Sequence, residues 1–184
     1  MGRYVIGVTG ASGSIYAGRL IGHLKDLGQE VHLVVSESGR KVCAYEGFPD
    51  LEKRVDKVYD NRDFFAPIAS GSWIHQGMAV IPCSMGTLGK MAHGIGDTLL
   101  TRAADVCLKE RWKLVVVPRE APMSSLHLAN QKALSDLGAQ IIPANPSFYH
   151  HPKSIEDLVD TVLSRLLDYL GVEHQVGRRW RESS

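Results

Sequence analysis

Tyr4-Val-Ile-Gly-Val8 runs straight into Thr9-Gly-Ala-Ser-Gly-Ser14, and a helical pattern over Ile15–Leu27 follows at once, with Gly28 as its stop. The first segment is apolar throughout, as a strand covered on both faces must be. In the second, glycines let backbone N–H groups approach an anion, the helix N-terminus adds partial positive charge, and the Ser12 hydroxyl adds a donor. The turn lacks the Gly-Lys-Ser/Thr of a Walker loop, and Ser12 stands where a dinucleotide fingerprint has its second glycine. Taken alone, the segment also fits a tight strand-to-helix turn with no ligand.

The same alternation continues along the chain. Val31–Val35, Met78–Ile81, Leu114–Val117 and Gln140–Ile142 read as further strands, with helical patterns at about 98–111, 124–137 and 154–170. This order predicts an α/β fold: a Rossmann-like or flavodoxin-like parallel sheet with helices on both faces. Residues 1–184 suit one domain. The stretch from Phe48 to Trp73 is the least regular and is expected to border the site.

Composition narrows the function. The chain has 21 Lys and Arg against 20 Asp and Glu, a formal charge of +1, which offers no field for nucleic acid or an anionic membrane. Cys43, Cys83 and Cys107 are widely spaced and odd in number, which argues for a reducing compartment and against disulfides or structural zinc. No apolar run has membrane-spanning length and no signal-peptide pattern opens the chain, so the cytoplasm is expected. His127, His150 and His151 lack the spacing of a metal site.

Ligands of open α/β sheets bind beyond the carboxyl ends of the strands. The segments expected there are Gly10–Gly13, Ser36, Pro82-Cys-Ser-Met-Gly-Thr87, Arg119-Glu120 and Pro143–Pro146. Ser84 and Thr87 read equally as helix caps. Ser36 occupies the place of the ribose-binding acid of a nicotinamide domain, although Glu37 lies beside it. An Arg next to a Glu can bind an anion and move a proton, or simply form an ion pair. On the helix around 101–111, Arg102 and Lys109 are seven residues apart and share a face. Its apolar residues Ala103, Ala104, Val106, Cys107 and Leu108 cover two sides, which suggests contact with another subunit as well as the sheet, with a solvated charged face as the equal alternative.

Together these segments resemble the flavin prenyltransferases of the UbiX/Pad1 type. The matching stretches are Gly10–Tyr16, Ala69–Ser72, Pro82–Leu88, Thr101–Arg111, Arg119–Pro122, Pro146–Tyr149 and Arg178–Trp180. The resemblance implies a metal-independent enzyme that joins a dimethylallyl group from dimethylallyl phosphate to N5 and C6 of reduced FMN, supplying UbiD-type decarboxylases. It implies FMN contacts from Gly10, Ala11, Ser12, Ser36, Ser84, Met85, Gly86, Thr87 and Arg119. It places Tyr149 and Arg165 on the allyl phosphate, with Arg102 and Lys109 as further cations, and Ser12, Glu120 and Glu46 in proton movement. Such enzymes are usually dodecamers. Trp73 is a candidate wall for an allylic cation, with core packing as the rival reading. Thr98 stands where Asn is common in the family. Two other readings stay open: an FMN-binding accessory subunit of a phenolic acid decarboxylase, and a flavin-dependent cysteine decarboxylase, for which His32 fits the catalytic position poorly.

Overall fold

The computed structural model describes residues 1–177 and 179. Its strands are β1 (Arg3–Val8), β2 (Glu30–Val35), β3 (Lys57–Tyr59), β4 (Gly77–Cys83), β5 (Leu114–Pro118) and β6 (Gln140–Ile141). The helices are α1 (Ser14–Asp26), α2 (Glu37–Tyr45), α3 (Met85–Ala92), α4 (Leu99–Glu110), α5 (Ser125–Asp136) and α6 (Ile155–Leu170). The strands form a single parallel sheet in the order β3-β2-β1-β4-β5-β6. The order reverses between β1 and β4, which makes their carboxyl ends the natural crevice.

Alternate residues of each strand feed two cores. Ile6, Val8, Leu33, Ile81, Val115 and Val117 pack with Leu20, Leu24, Leu163 and Leu167, so α1 and α6 cover one face. Val5, Val34, Met78, Val80 and Val116 pack with Leu88, Leu100, Ala104 and Leu134 on the other, beneath α3, α4 and α5. Burial on both faces explains why these strands read as continuous apolar runs.

Three elements exceed the sequence expectation. β3 is a three-residue edge strand inside the irregular Phe48–Trp73 stretch, too short to show a period. α2 buries only Gly39 and Cys43, so it has no apolar stripe to announce it. α3 carries Gly86 and Gly89, which dilute its helical pattern. The apolar sides of α4 find partners within the chain. In a single chain Ala103, Ala104, Val106 and Cys107 of α4 are already buried to within 1% exposure. The second apolar side of α4 is met largely by its own chain, through α3 and a 3₁₀ turn at Pro67–Ala69, while Leu108 stays half-buried.

The helix pair on the first face is locked by charge. Arg19 grips Asp160 through Nε at 2.8 Å and Nη2 at 2.6 Å, and His23 Nε2 lies 2.9 Å from the same carboxylate. Burial opposes ionisation of Asp160, but hydrogen bonds from His23 and Arg19 outweigh it and lower its pKa from 3.8 to about 2. A depressed folded-state value adds stability above about pH 4 that is lost as the pH falls through 2. Asp160→Asn should therefore cost on the order of 2 kcal/mol at neutral pH and flatten the acid limb between pH 4 and 2, read by urea unfolding across that range. An unchanged acid limb would rule out the pair as its source.

Candidate functional site

The carboxyl edge of the sheet is knitted beyond the strands themselves. Ser36 N donates to Val8 O at 2.9 Å, Thr9 N to Pro82 O at 3.2 Å, Arg119 N to Cys83 O at 3.2 Å and Ala144 N to Pro118 O at 3.2 Å. Thr9, 1% exposed, adds a side-chain link: its Oγ1 donates to Pro82 O at 2.8 Å and accepts from Ser84 N at 2.7 Å. The β1–α1 and β4–α3 turns are thereby fixed side by side. In the sequence Thr9 is only part of the turn; nothing in a lone threonine signals a partner 73 residues away.

On the first turn, Gly13 adopts φ 116°, a left-handed conformation that favours glycine, and caps α1. A Cβ on Gly10 would stand 2.5 Å from Ser38 Oγ, so the turn and the start of α2 can meet only with glycine there. Within the described chain the N–H groups of Ala11 and Ser12 donate to nothing, and Ser12 is exposed. Glu46, just after α2, reaches back to this turn. Its carboxylate accepts from Gly13 N at 3.0 and 3.1 Å and from Ser14 N at 2.7 Å. Burial pushes its pKa up, yet hydrogen bonds from Ser12, Ser14 and Gly13 prevail and hold the carboxyl below its ordinary range.

The second turn uses Ser84 as the cap of α3, accepting from Thr87 N and donating to Thr87 Oγ1 at 3.1 Å. The cap reading of Ser84 is thus real, and it leaves the first N–H groups of α3 pointing outward. A Cβ on Gly86 would meet no atom within 4 Å, so this glycine opens a space that the chain itself does not fill. Ser36 likewise caps α2, accepting from Gly39 N at 3.0 Å. With Glu37 and Thr98 it lines a cavity of about 600 Å³ beyond β2 and β3. Burial pushes the Cys83 thiol up, which removes thiolate chemistry from this turn.

Arg119 and Glu120 do not pair with each other. Arg119 Nε donates to Ser12 O at 3.2 Å, which brings its guanidinium to the first turn, and Glu120 Oε1 accepts from Ala121 N at 3.1 Å. So Gly10, Ala11, Ser12, Glu46, Met85, Thr87 and Arg119 belong to one knitted edge.

Two further groups stand apart in the single chain. Arg102 Nε donates to Ala69 O at 3.2 Å, and a Cβ on Gly71 would lie 3.0 Å from Lys109 Nζ, so both cations of α4 meet the Ala69–Ser72 segment. Each also has a carboxylate partner, Asp105 at 2.8 Å for Arg102 and Glu110 for Lys109. Tyr149 and Arg165 share a cavity of about 300 Å³ with Ser147, Thr161, Asp168 and Arg179. Trp73 sits edge-on to His32 at 4.8 Å, with the Arg3 guanidinium 4.6 Å above its ring. These neighbours begin β2 and β1, at the opposite edge of the sheet, so within one chain Trp73 is a packing residue. His32 points the same way, held by Glu30 at 2.6 Å and Tyr59 at 2.9 Å, away from the knitted edge. Arg178 and Trp180 lie outside the described residues.

A parallel sheet carrying two adjacent anion-type turns at its switch point defines the class: a flavodoxin-like α/β protein built to hold a phosphorylated cofactor. The flavoprotein family model matches residues 2–167. The flavin prenyltransferase UbiX of Thermoplasma acidophilum is 46% identical, over 97% of this chain and 99% of its own length. The flavin prenyltransferase LpdB of Lactiplantibacillus plantarum is also 46% identical, over 98% of each chain. The crystal structure of AnUbiX (PadA1) in complex with FMN and dimethylallyl pyrophosphate superposes with TM-score 0.94 at 38% identity, covering 99% and 98% of the two chains. A dodecameric FMN-dependent UbiX-like decarboxylase from Escherichia coli O157:H7 gives 0.93 at 42% identity, covering 97% and 99%. The peptidyl-cysteine decarboxylase EpiD, at 22% identity and TM-score 0.65, shares the fold alone. The chain belongs to the flavin prenyltransferase family.

The Glu46 contact yields a test. Glu46→Ala strips two N–H groups at the start of α1 of their acceptor and should cost about 1–2 kcal/mol in chemical denaturation. Glu46→Gln, which keeps an acceptor oxygen, should lose less; equal losses would assign the effect to packing instead.

Proposed function

We propose that this protein holds reduced FMN at the knitted edge and transfers a dimethylallyl group onto it, as a flavin prenyltransferase. The observation that carries this is the pair of turns fixed by Thr9, with unpaired N–H groups at Ala11 and Ser12 on one and open space above Gly86 on the other. They suit a phosphate and a flat ring approaching backbone. Ser36, Ser84 and Thr87 supply hydroxyls, Met85 an apolar contact, and Arg119 a guanidinium already at the turn. Bound in reduced form, FMN supplies the nucleophilic ring positions on which the new bonds form.

The chain's own residues supply the rest. Departure of the allylic phosphate leaves an anion, which Tyr149 and Arg165 hold and which Arg102 and Lys109 stabilise further. Ser12 and the ionised Glu46 form a hydroxyl–carboxylate pair at the turn that can carry a proton. Glu120, half-buried beside Arg119, is the base for the proton that must leave the ring. Since α4 and the Tyr149 cavity stand apart from the turns, the working site draws on more than one copy of the chain. Exposed Phe65, Leu126 and Phe148, at 100%, 63% and 67%, offer apolar surface for such an assembly, and a dodecamer is the expected form. Its product would serve a UbiD-type decarboxylase. No helix of the described chain is long and apolar enough to cross a membrane, and Cys43, Cys83 and Cys107 are free and buried, as suits the cytoplasm.

The deciding assay incubates the purified protein with reduced FMN and either dimethylallyl phosphate or dimethylallyl pyrophosphate, with product read by mass spectrometry. Prenylated flavin is expected from the monophosphate. FMN retained without product from either donor would make the chain a flavin-binding accessory subunit instead. Arg165→Ala should weaken donor binding by on the order of 1.5–3 kcal/mol while FMN affinity, read by fluorescence, stays nearly intact. Loss of FMN in proportion to activity would remove Arg165 from the donor site.

A further inference from the structure

At the edge of the sheet away from the turns, the chain encloses a histidine that the chemistry above does not use. His75 precedes β4 and is 5% exposed. Trp112, just beyond α4, meets its ring edge-on at 4.7 Å, and Trp73 lies tilted at 5.7 Å. Cys107 of α4 brings its Sγ to 3.8 Å from Nε2. The other ring nitrogen, Nδ1, is buried and finds no hydrogen-bond partner among the described residues, although the Gly77 backbone is near.

The ring is a wedge between the two elements that meet at Arg102 and Lys109. Trp73 follows the Ala69–Ser72 turn, whose Ala69 O accepts from Arg102 and whose Gly71 lies against Lys109. Cys107 stands on α4 between those two cations. Around the wedge, the charged and titratable groups are Arg3 of β1, Glu30 and His32 of β2, Tyr59 of β3 and Cys107. Glu30 is committed to Arg3 at 3.1 Å and to His32 at 2.6 Å, and His32 Nδ1 lies 2.9 Å from the Tyr59 hydroxyl. Burial pushes the Cys107 thiol up to about 12, so it carries no charge. For His75, burial foremost pushes the pKa from 6.5 down to about 4; the Gly77 backbone opposes this, while His32 and Arg3 add to it. Protonation would put a second N–H on the ring, with no acceptor for one of the two. A histidine lowered in this way supports the closed arrangement fully above about pH 6.5, and that support is lost as the pH falls toward 4.

We infer that His75 is a positioning residue for Arg102 and Lys109, holding the turn against α4 only as a neutral imidazole, so that its aromatic box is a latch released by acid. The inference rests on the reading of those two cations as contacts of the donor phosphate. His75 itself touches no substrate and acts through the turn and the helix.

The test uses the full-length, FMN-loaded protein from about pH 7.5 down to about pH 4.5, the window of the latch. Tryptophan emission reports the box, since Trp73 and Trp112 flank the ring, and the KM for dimethylallyl phosphate reports the cations. His75→Phe keeps a ring that takes no proton, and His75→Gln keeps a polar side chain that takes none. The donor phosphate itself titrates near about pH 6, so the comparison is between wild type and variants at each pH. Across the window, wild-type emission should shift, and its donor KM should rise on the order of tenfold more than that of either variant, with FMN retained. Constant wild-type emission would overturn the inference, and so would a folded variant that repeats the wild-type acid response in KM. Failure of the underlying reading looks different. Arg102→Ala and Lys109→Ala would then leave the donor KM unchanged, while the emission shift and its loss in the His75 variants would persist.

Discussion

The buried hydroxyl of Thr9 is the constraint on which the site depends. A parallel sheet ends its ladder at the last paired residue, and each chain then departs into its own loop. Here Thr9 carries the pairing one step further, from β1 to the backbone on both sides of Cys83. Flanked by the Ser36–Val8 and Arg119–Cys83 bonds, it turns four independent loops into a continuous surface. A cofactor phosphate needs several donors converging within a few tenths of an ångström, and loops positioned separately would lose that convergence to their own entropy. The donors are weak singly; their fixed spacing makes them a site.

Much of this is legible in the amino-acid sequence. The apolar runs located β1, β2, β4, β5 and β6 because a doubly covered strand cannot conceal its composition. The turn residues were legible because glycine and serine between a strand and a helix serve few purposes. The elements that escaped share one cause: β3 and α2 bury too little to leave a period, and α3 contains two glycines within eight residues. The cover of α4 is a matter of another kind. Its apolar circumference is plain in the sequence, but a sequence cannot say how much of the second side meets the chain itself. The irregular stretch after Phe48 folds back through Pro67–Ala69 and supplies that cover.

The site residues divide along the same line. Residues adjacent to strand ends could be placed from order alone, since the sheet delivers them to one edge. Glu46 could not, because its approach to Gly13 and Ser14 depends on how α2 crosses the turn. Trp73 could be read either way, as an aromatic wall or as core, because closeness in sequence to the Ser-Gly-Ser loop hides its position against Arg3 and His32 at the opposite edge.

The way the cations are stored bears on the chemistry. Arg102, Lys109, Arg165 and Arg179 each stand beside a carboxylate, respectively Asp105, Glu110 and, for the last two, Asp168. Like charges gathered without such partners would repel and weaken the fold. With them, a neutral or singly charged ligand gains little by displacing a carboxylate from a guanidinium. A departing phosphate gains more, because negative charge grows on its oxygens as the allylic bond breaks. Paired cations therefore favour the late charge distribution over the early one, which is the condition for binding energy to lower a barrier rather than only to tighten a complex.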